Sequence, residues 1–119
     1  MNAPSRHREL AAGRWHALSL VEQLANVGSE VTRTIRAQVQ GNPERAHHAL
    51  TRALELFDLT AADIRWKGSS RREVLRAREV FCASLHSDSS AVGDAEYLQK
   101  YFLQFAVAAR RAVTRAGMR

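Results

Sequence analysis

Four stretches of this chain place apolar residues at every third or fourth position, each bounded by capping or helix-breaking residues, and that pattern admits helices and little else. Leu20, Leu24, Val27, Val31, Ile35 and Val39 recur at the spacing of one helical face. Ser19 and Glu22 ahead of them match a capping box, in which the serine hydroxyl takes the third helical amide and the glutamate reaches back to the serine amide. Gly41-Asn42-Pro43 stops this helix and starts the next, with Asn42 as N-cap, Pro43 at the first helical position and Glu44 complementing the dipole. The second helix is expected to bury Ala46, Ala49 or Leu50, Ala53 or Leu54, and Phe57, and to fray around Leu59 and Thr60. Gly68-Ser69-Ser70 is a break, and Ser70 with Glu73 is read as a second capping box.

The third helix then runs from Arg71 to about His86, with Val74, Leu75, Arg78 or Val80, Phe81, Cys82 and Leu85 on its stripe. Ser87 to Gly93 reads as a loop and Asp94 as the next cap. Tyr97, Leu98, Tyr101, Phe102, Phe105, Ala109 and Val113 give the fourth helix the strongest stripe, and Gly117 suits a C-terminal stop. Four such helices with short links favour antiparallel neighbours. The expected fold is all-α, an antiparallel up-down-up-down four-helix bundle over residues 15–119, behind a flexible basic arm over 1–14. At 119 residues one domain suffices. No repeat at 20 to 50 residues points to a solenoid.

Composition narrows the class further. Hydrophobic residues at 45% and charged residues at 25% are globular proportions and exclude a disordered chain. A single cysteine, Cys82, excludes an internal disulfide and fits a reducing compartment. No signal-peptide core and no run of about 18 apolar residues occurs, so a cytoplasmic protein without membrane association is expected.

Catalytic and cofactor motifs are sparse. A di-metal carboxylate bundle needs two Glu-x-x-His motifs facing inward, and only Glu44 and His47 have that spacing. They fall in the first turn of the second helix, where a solvated pair is the ordinary outcome. No arginine stands at the spacing before any of the five histidines that HEPN-type helical nucleases use. Cys82 lies on an apolar stripe, without a cationic partner placed to activate it. No Gly-rich phosphate loop is present. The expectation is a non-enzyme with no cofactor and no metal. Asn26, Glu30, Glu55, Asp58, Arg76 and Arg78 flank the stripes and are read as interhelical pairs that set register.

Charge supplies the functional reading. The net charge is +6 and the pI near 10.7, values that favour polyanionic partners. In an up-down-up-down order one pole would collect Arg6, Arg8, Arg14, Arg65, Lys67, Arg71, Arg72, Arg110, Arg111, Arg115 and Arg119 against Glu9, Asp58, Asp63 and Glu73. Arginines in the last turns of a helix complement its dipole without any ligand. Arg71 and Arg72 lie in a first turn, where an anion would reconcile guanidinium groups with free amides. Trp15 and Trp66, each beside cations or a histidine, either close the core end or form a stacking platform for unpaired bases. The candidate nucleic-acid contacts are therefore Arg14, Trp15, Arg65, Trp66, Lys67, Arg71, Arg72, Arg110, Arg111 and Arg115.

The stretches Trp15 to Val31, Arg52 to Thr60 and Tyr101 to Arg111 resemble an uncharacterised family of short bacterial helical proteins, a likeness that covers most of the chain and names no activity. In size, helix count and basicity the chain is also similar to the accessory variability determinants of diversity-generating retroelements. That similarity implies a basic four-helix bundle that forms homo-oligomers and assists a reverse transcriptase and its template RNA, and it transfers no functional residue. The leading expectation is an accessory protein that binds RNA or DNA. Its rival is a protein-interaction adaptor, in which Tyr97, Tyr101 and Ala108 could serve an oligomer or a partner.

Overall fold

The computed structural model describes residues 13–85 and 91–117. Its regular elements are all helical: α1 (Leu20–Val39), α2 (Pro43–Ala61), α3 (Ser69–Ser84) and α4 (Ala91–Gly117), after a helical turn through residues 13 to 15. No strand occurs among the described residues. Most of the expected arm, with Arg6, Arg8 and Glu9, lies outside them, as do Arg119 and the segment from His86 to Ser90. Residues 13 and 14, expected in the arm, are helical.

The first two helix starts follow their sequence signals. Ser19 Oγ accepts the Glu22 amide at 3.2 Å, and a Glu22 carboxylate oxygen accepts the Ser19 amide at 3.0 Å. At the far end of α1, Gly41 adopts φ +67°, which only glycine takes without strain. That conformation lets the Asn42 amide reach the Ala37 carbonyl and the Gly41 amide the Gln38 carbonyl, the paired closure of a Schellman end. Asn42 Oδ1 then caps α2 through the Arg45 amide at 3.1 Å.

The third start departs from expectation. α3 begins at Ser69 with Gly68 as N-cap, at φ +59°, and no side chain caps it. Ser70 and Glu73 form no capping box, because Glu73 is engaged across to α4 by the Tyr101 hydroxyl at 2.7 Å. α4 likewise begins at Ala91, so Gly93 lies within the helix rather than in a loop and Asp94 is not its cap. α2 does not fray at Thr60: it continues to Ala61, and Thr60 is fully buried.

One core draws on every element. Trp15 comes from the initial turn, Leu24, Val27, Val31 and Ile35 from α1, Ala53 and Phe57 from α2, Val74, Ala77 and Phe81 from α3, and Leu98 and Phe102 from α4. α1 packs along both α2 and α4, while α3 bridges α2 and α4 over shorter seams. Phe57 sits at the middle, with ring centroids 5.9 Å from Phe81 and 6.1 Å from Phe102. Each such fully buried ring contributes about 2–3 kcal/mol relative to exposure.

Three residues of the expected stripes are exposed, Val39 at the end of α1 and Tyr97 and Val113 in α4. The cause for Val113 is length. α4 has 27 residues and α3 has 16, so at 1.5 Å per residue α4 outruns α3 by roughly 16 Å. Phe102 is the last buried residue of α4, and beyond it only Phe105 and Ala109 are half-buried.

The α1–α4 seam depends on Gly28. A Cβ at that position would lie 2.6 Å from Phe102 Cβ. Gly28→Ala should gain about 1 kcal/mol of helix propensity and lose about 1–3 kcal/mol to overpacking. A lower urea midpoint with an unchanged denaturant slope is the expected result. A raised midpoint would show that the seam opens freely.

Candidate nucleic-acid interface

Both tryptophan clusters converge on one place, and the side chain that joins them is Gln23. It lies one position before Leu24 on α1, is fully buried, and has every polar atom engaged. Its Nε2 donates to the Trp15 carbonyl at 2.9 Å and to Asp63 Oδ2 at 3.0 Å. Its Oε1 accepts the Trp66 indole N–H at 2.7 Å. The Trp15 indole N–H donates to Thr60 Oγ1 at 3.0 Å, and that hydroxyl donates in turn to the Leu56 carbonyl at 2.8 Å. The latch thus ties the initial turn, α1, the end of α2 and the α2–α3 connection. It fits the rule that buried polar groups are tolerated only when fully partnered.

Asp63 is the anionic centre of this latch, at 3% exposure. Arg65 holds it through Nη2 at 2.7 Å and Nε at 3.0 Å, while the Arg65 amide donates to Oδ1 at 3.1 Å. Arg65 Nη2 also donates to the Leu18 carbonyl at 2.6 Å. The Arg65 hydrogen bonds hold the Asp63 carboxyl well below the usual carboxylate range, against the opposing effect of burial, and the Gln23 amide adds to the lowering. The same pairing raises Arg65. The Arg65 guanidinium lies 4.4 Å from the centroid of a Trp66 ring, a cation–π distance.

The ten candidate residues therefore divide. Trp15 is 7% exposed and has no ring face left for a base, so it closes the core end. Trp66 is half-buried with Arg65 over it, and Arg65 is committed to Asp63. Arg14 and Lys67 are exposed nearby. Arg71 reaches the Ala61 carbonyl at 3.3 Å and Arg72 the Gly68 carbonyl at 3.4 Å, each through Nε. Arg110, Arg111 and Arg115 lie apart from the latch on the outer half of α4, where the clefts around Leu103 and Val107 are lined by α4 alone. Thus the tryptophan clusters meet, and the final arginines occupy an extension of their own.

Of the expected interhelical partners, Asp58 and Arg78 join α2 to α3, and Glu30 approaches Arg52 between α1 and α2. Asn26 instead donates to the Glu22 carbonyl within its own helix, and Glu55 and Arg76 form no ion pair among the described residues. Glu30 pairs with Arg33 at 2.7 Å and approaches Arg52 at 3.7 Å, and Arg78 meets Asp58 at 3.2 Å. Arg72, Arg76, Lys100, Arg110, Arg111 and Arg115 form no ion pair among the described residues. No group of three potential metal ligands occurs among them either. Cys82 is a half-buried free thiol. No described helix is long and apolar enough to cross a membrane.

A second concave feature was not singled out by sequence. Between α3 and α4 runs a groove of about 340 Å³, floored by Ala77, Val80 and Leu98 and flanked by Tyr97, Tyr101, Arg72 and Arg76. Burial, chiefly, and the bond to Glu73 push the Tyr101 phenol up, so it remains a donor at neutral pH. Its signal was the i, i+4 tyrosine pair on α4 facing the i, i+4 arginine pair on α3.

The chain matches no family model, no curated protein and no solved structure.

The depressed Asp63 pKa fixes a pH dependence. A carboxyl that ionises more readily when folded contributes stability above its unfolded pKa and loses it as the pH falls below about 4. Asp63→Asn should cost about 2 kcal/mol at pH 7, measured by urea denaturation. That difference from the unsubstituted chain should narrow between pH 5 and pH 3. A constant difference would show that the carboxylate charge is not what the latch uses.

Proposed function

We propose that this chain is a non-enzymatic cytoplasmic accessory protein that binds RNA or DNA through the cationic outer half of α4 and the neighbouring helix ends. The supporting observation is that Leu103 to Gly117 contains Arg110, Arg111 and Arg115 and no acidic residue, with all three arginines exposed and without an ion pair among the described residues. Dipole complementation accounts for cations in the last turn. It does not account for a further exposed length of helix without a single carboxylate.

An antiparallel four-helix bundle is part of this proposal. Arg71 against Ala61 and Arg78 against Asp58 support an antiparallel α2–α3 pair. Tyr101 against Glu73, with Tyr97 sharing a groove with Ala77 and Val80, supports the same for α3 and α4. In that arrangement α4 leaves the core past the first turn of α3, on the side of Arg71 and Arg72. Arg14 and Lys67 would extend the phosphate-contacting surface. The similarity to retroelement accessory proteins adds a reverse transcriptase as a candidate partner, and a homo-oligomer as the assembly.

A rival reading has one observation in its favour. Leu103 at 60%, Val107 at 40% and Val113 at 69% exposure lie on the same half of α4 and would suit a protein partner's groove.

Fluorescence anisotropy with a labelled single-stranded RNA at two salt concentrations tests the proposal. Affinity should fall steeply with salt. Changing Arg110, Arg111 and Arg115 together to Gln should weaken binding and flatten the log–log salt slope by about 2, at roughly 0.7 per lost phosphate contact on a single strand. Absence of binding at low salt would overturn it and leave the adaptor.

A further inference from the structure

The groove between α3 and α4 supplies what the tryptophans do not, a free aromatic surface beside free cations. Tyr97 is 52% exposed. Its ring lies 6.2 Å from that of Tyr101, with 21° between their planes, so the two rings are held nearly parallel. The Tyr101 ring is fixed by its hydroxyl bond to Glu73 and by edge contacts with Phe102 and Phe105 at 5.1 and 5.3 Å. That bond takes Oε1 of Glu73, the one carboxylate in the groove wall. Opposite stand Arg72 and Arg76, both exposed and free of ion pairs among the described residues. Arg72 uses only Nε internally, which leaves its terminal nitrogens for a ligand. At about 340 Å³ the groove lies within the usual size range of small-ligand sites.

We propose that this groove is the base-reading part of the nucleic-acid surface, stacking one unpaired nucleobase on Tyr97 while Arg72 and Arg76 hold its phosphate. An apolar floor with an aromatic wall selects a flat ring, and two guanidinium groups on the opposite rim select an adjoining anion. A nucleotide of a single strand carries both at the right separation. A duplex carries only the anion, because its bases are already stacked. The site rests on the nucleic-acid reading but uses residues distinct from the α4 arginines, so the two can fail separately.

The test compares a 12-nucleotide unstructured RNA with a duplex of the same length, by anisotropy, for the unsubstituted chain and for Tyr97→Leu. Tyr97 is exposed, and leucine keeps the apolar volume, so folding should be preserved and is checked by circular dichroism. Tyr97→Leu should lower single-strand affinity about 5- to 100-fold, the usual effect of losing one stacked base. Duplex affinity and the single-strand salt slope should stay unchanged. Arg72→Gln with Arg76→Gln should weaken the single strand and reduce its salt slope. Equal single-strand and duplex affinities that Tyr97→Leu does not alter would overturn the groove and leave the α4 reading standing. Binding of neither RNA would overturn both, and an anionic peptide that binds in their place, with loss on Tyr97→Leu, would reassign the groove to a protein partner.

Discussion

The buried bond network around Gln23 and Asp63 is the constraint on which the rest of the structure depends. A glutamine and an aspartate among apolar side chains are tolerable only if each polar atom has a partner, and here the partners come from the stretch before α1, from α1 itself and from the α2–α3 connection. Leu18 and Trp15 offer carbonyls to Arg65 and Gln23, Trp66 offers an indole N–H, and Arg65 offers its guanidinium. Apolar packing alone would let α1 and α2 slide by a turn at modest cost. The network cannot slide, because a one-turn shift would strand several buried donors and acceptors together. Register is therefore held by polar groups at one end and by the Gly28–Phe102 approach further along α1.

The all-helical class, the four longer helices and most of the core were legible in the chain because they are local, whereas the helical turn at residues 13 to 15 was not. A capping box such as Ser19–Glu22, the Gly41-Asn42-Pro43 break and the Phe57 and Phe81 stripes declare themselves within one or two turns. What was not legible depends on distant partners. Glu73 has the spacing of a capping residue but hydrogen-bonds to Tyr101, a choice settled by α4. Val113 continues a flawless stripe, yet α3 is too short to cover it. Gln23 gives no local sign of burial, since a polar residue beside an apolar stripe is normally solvated. The tryptophan clusters were visible as a feature, and the core-closing alternative describes Trp15. The basic neighbours of Trp66 belong in part to the fold, since Arg65 neutralises Asp63.

Charge on this protein has two distinct uses. Arg33, Arg65 and Arg78 balance carboxylates at or near helix seams, where their contribution is geometric. Arg110, Arg111 and Arg115 on the outer half of α4 and Arg72 and Arg76 on the rim of the α3–α4 groove are exposed and have no such balance among the described residues, while Arg36, Arg45 and Arg52 line a separate cleft between α1 and α2. Cations therefore lie on several faces of the protein rather than on one pole. Separation of this kind leaves a ligand free to engage one set of cations without disturbing the pairs that hold the helices.

The outward reach of α4 also affects how the protein comes apart. A helix segment without a packed face has only its own backbone bonds and propensity to sustain it, and short isolated segments are marginal in water. Its alanines favour the helix, but its opening is not coupled to loss of the core. Both tryptophans, in contrast, sit at the latch. Tryptophan fluorescence would therefore report cooperative core unfolding, while the far-ultraviolet helical signal would include an earlier, gradual loss from the α4 extension. The two signals should part company on heating, and a ligand that orders the extension should bring them together.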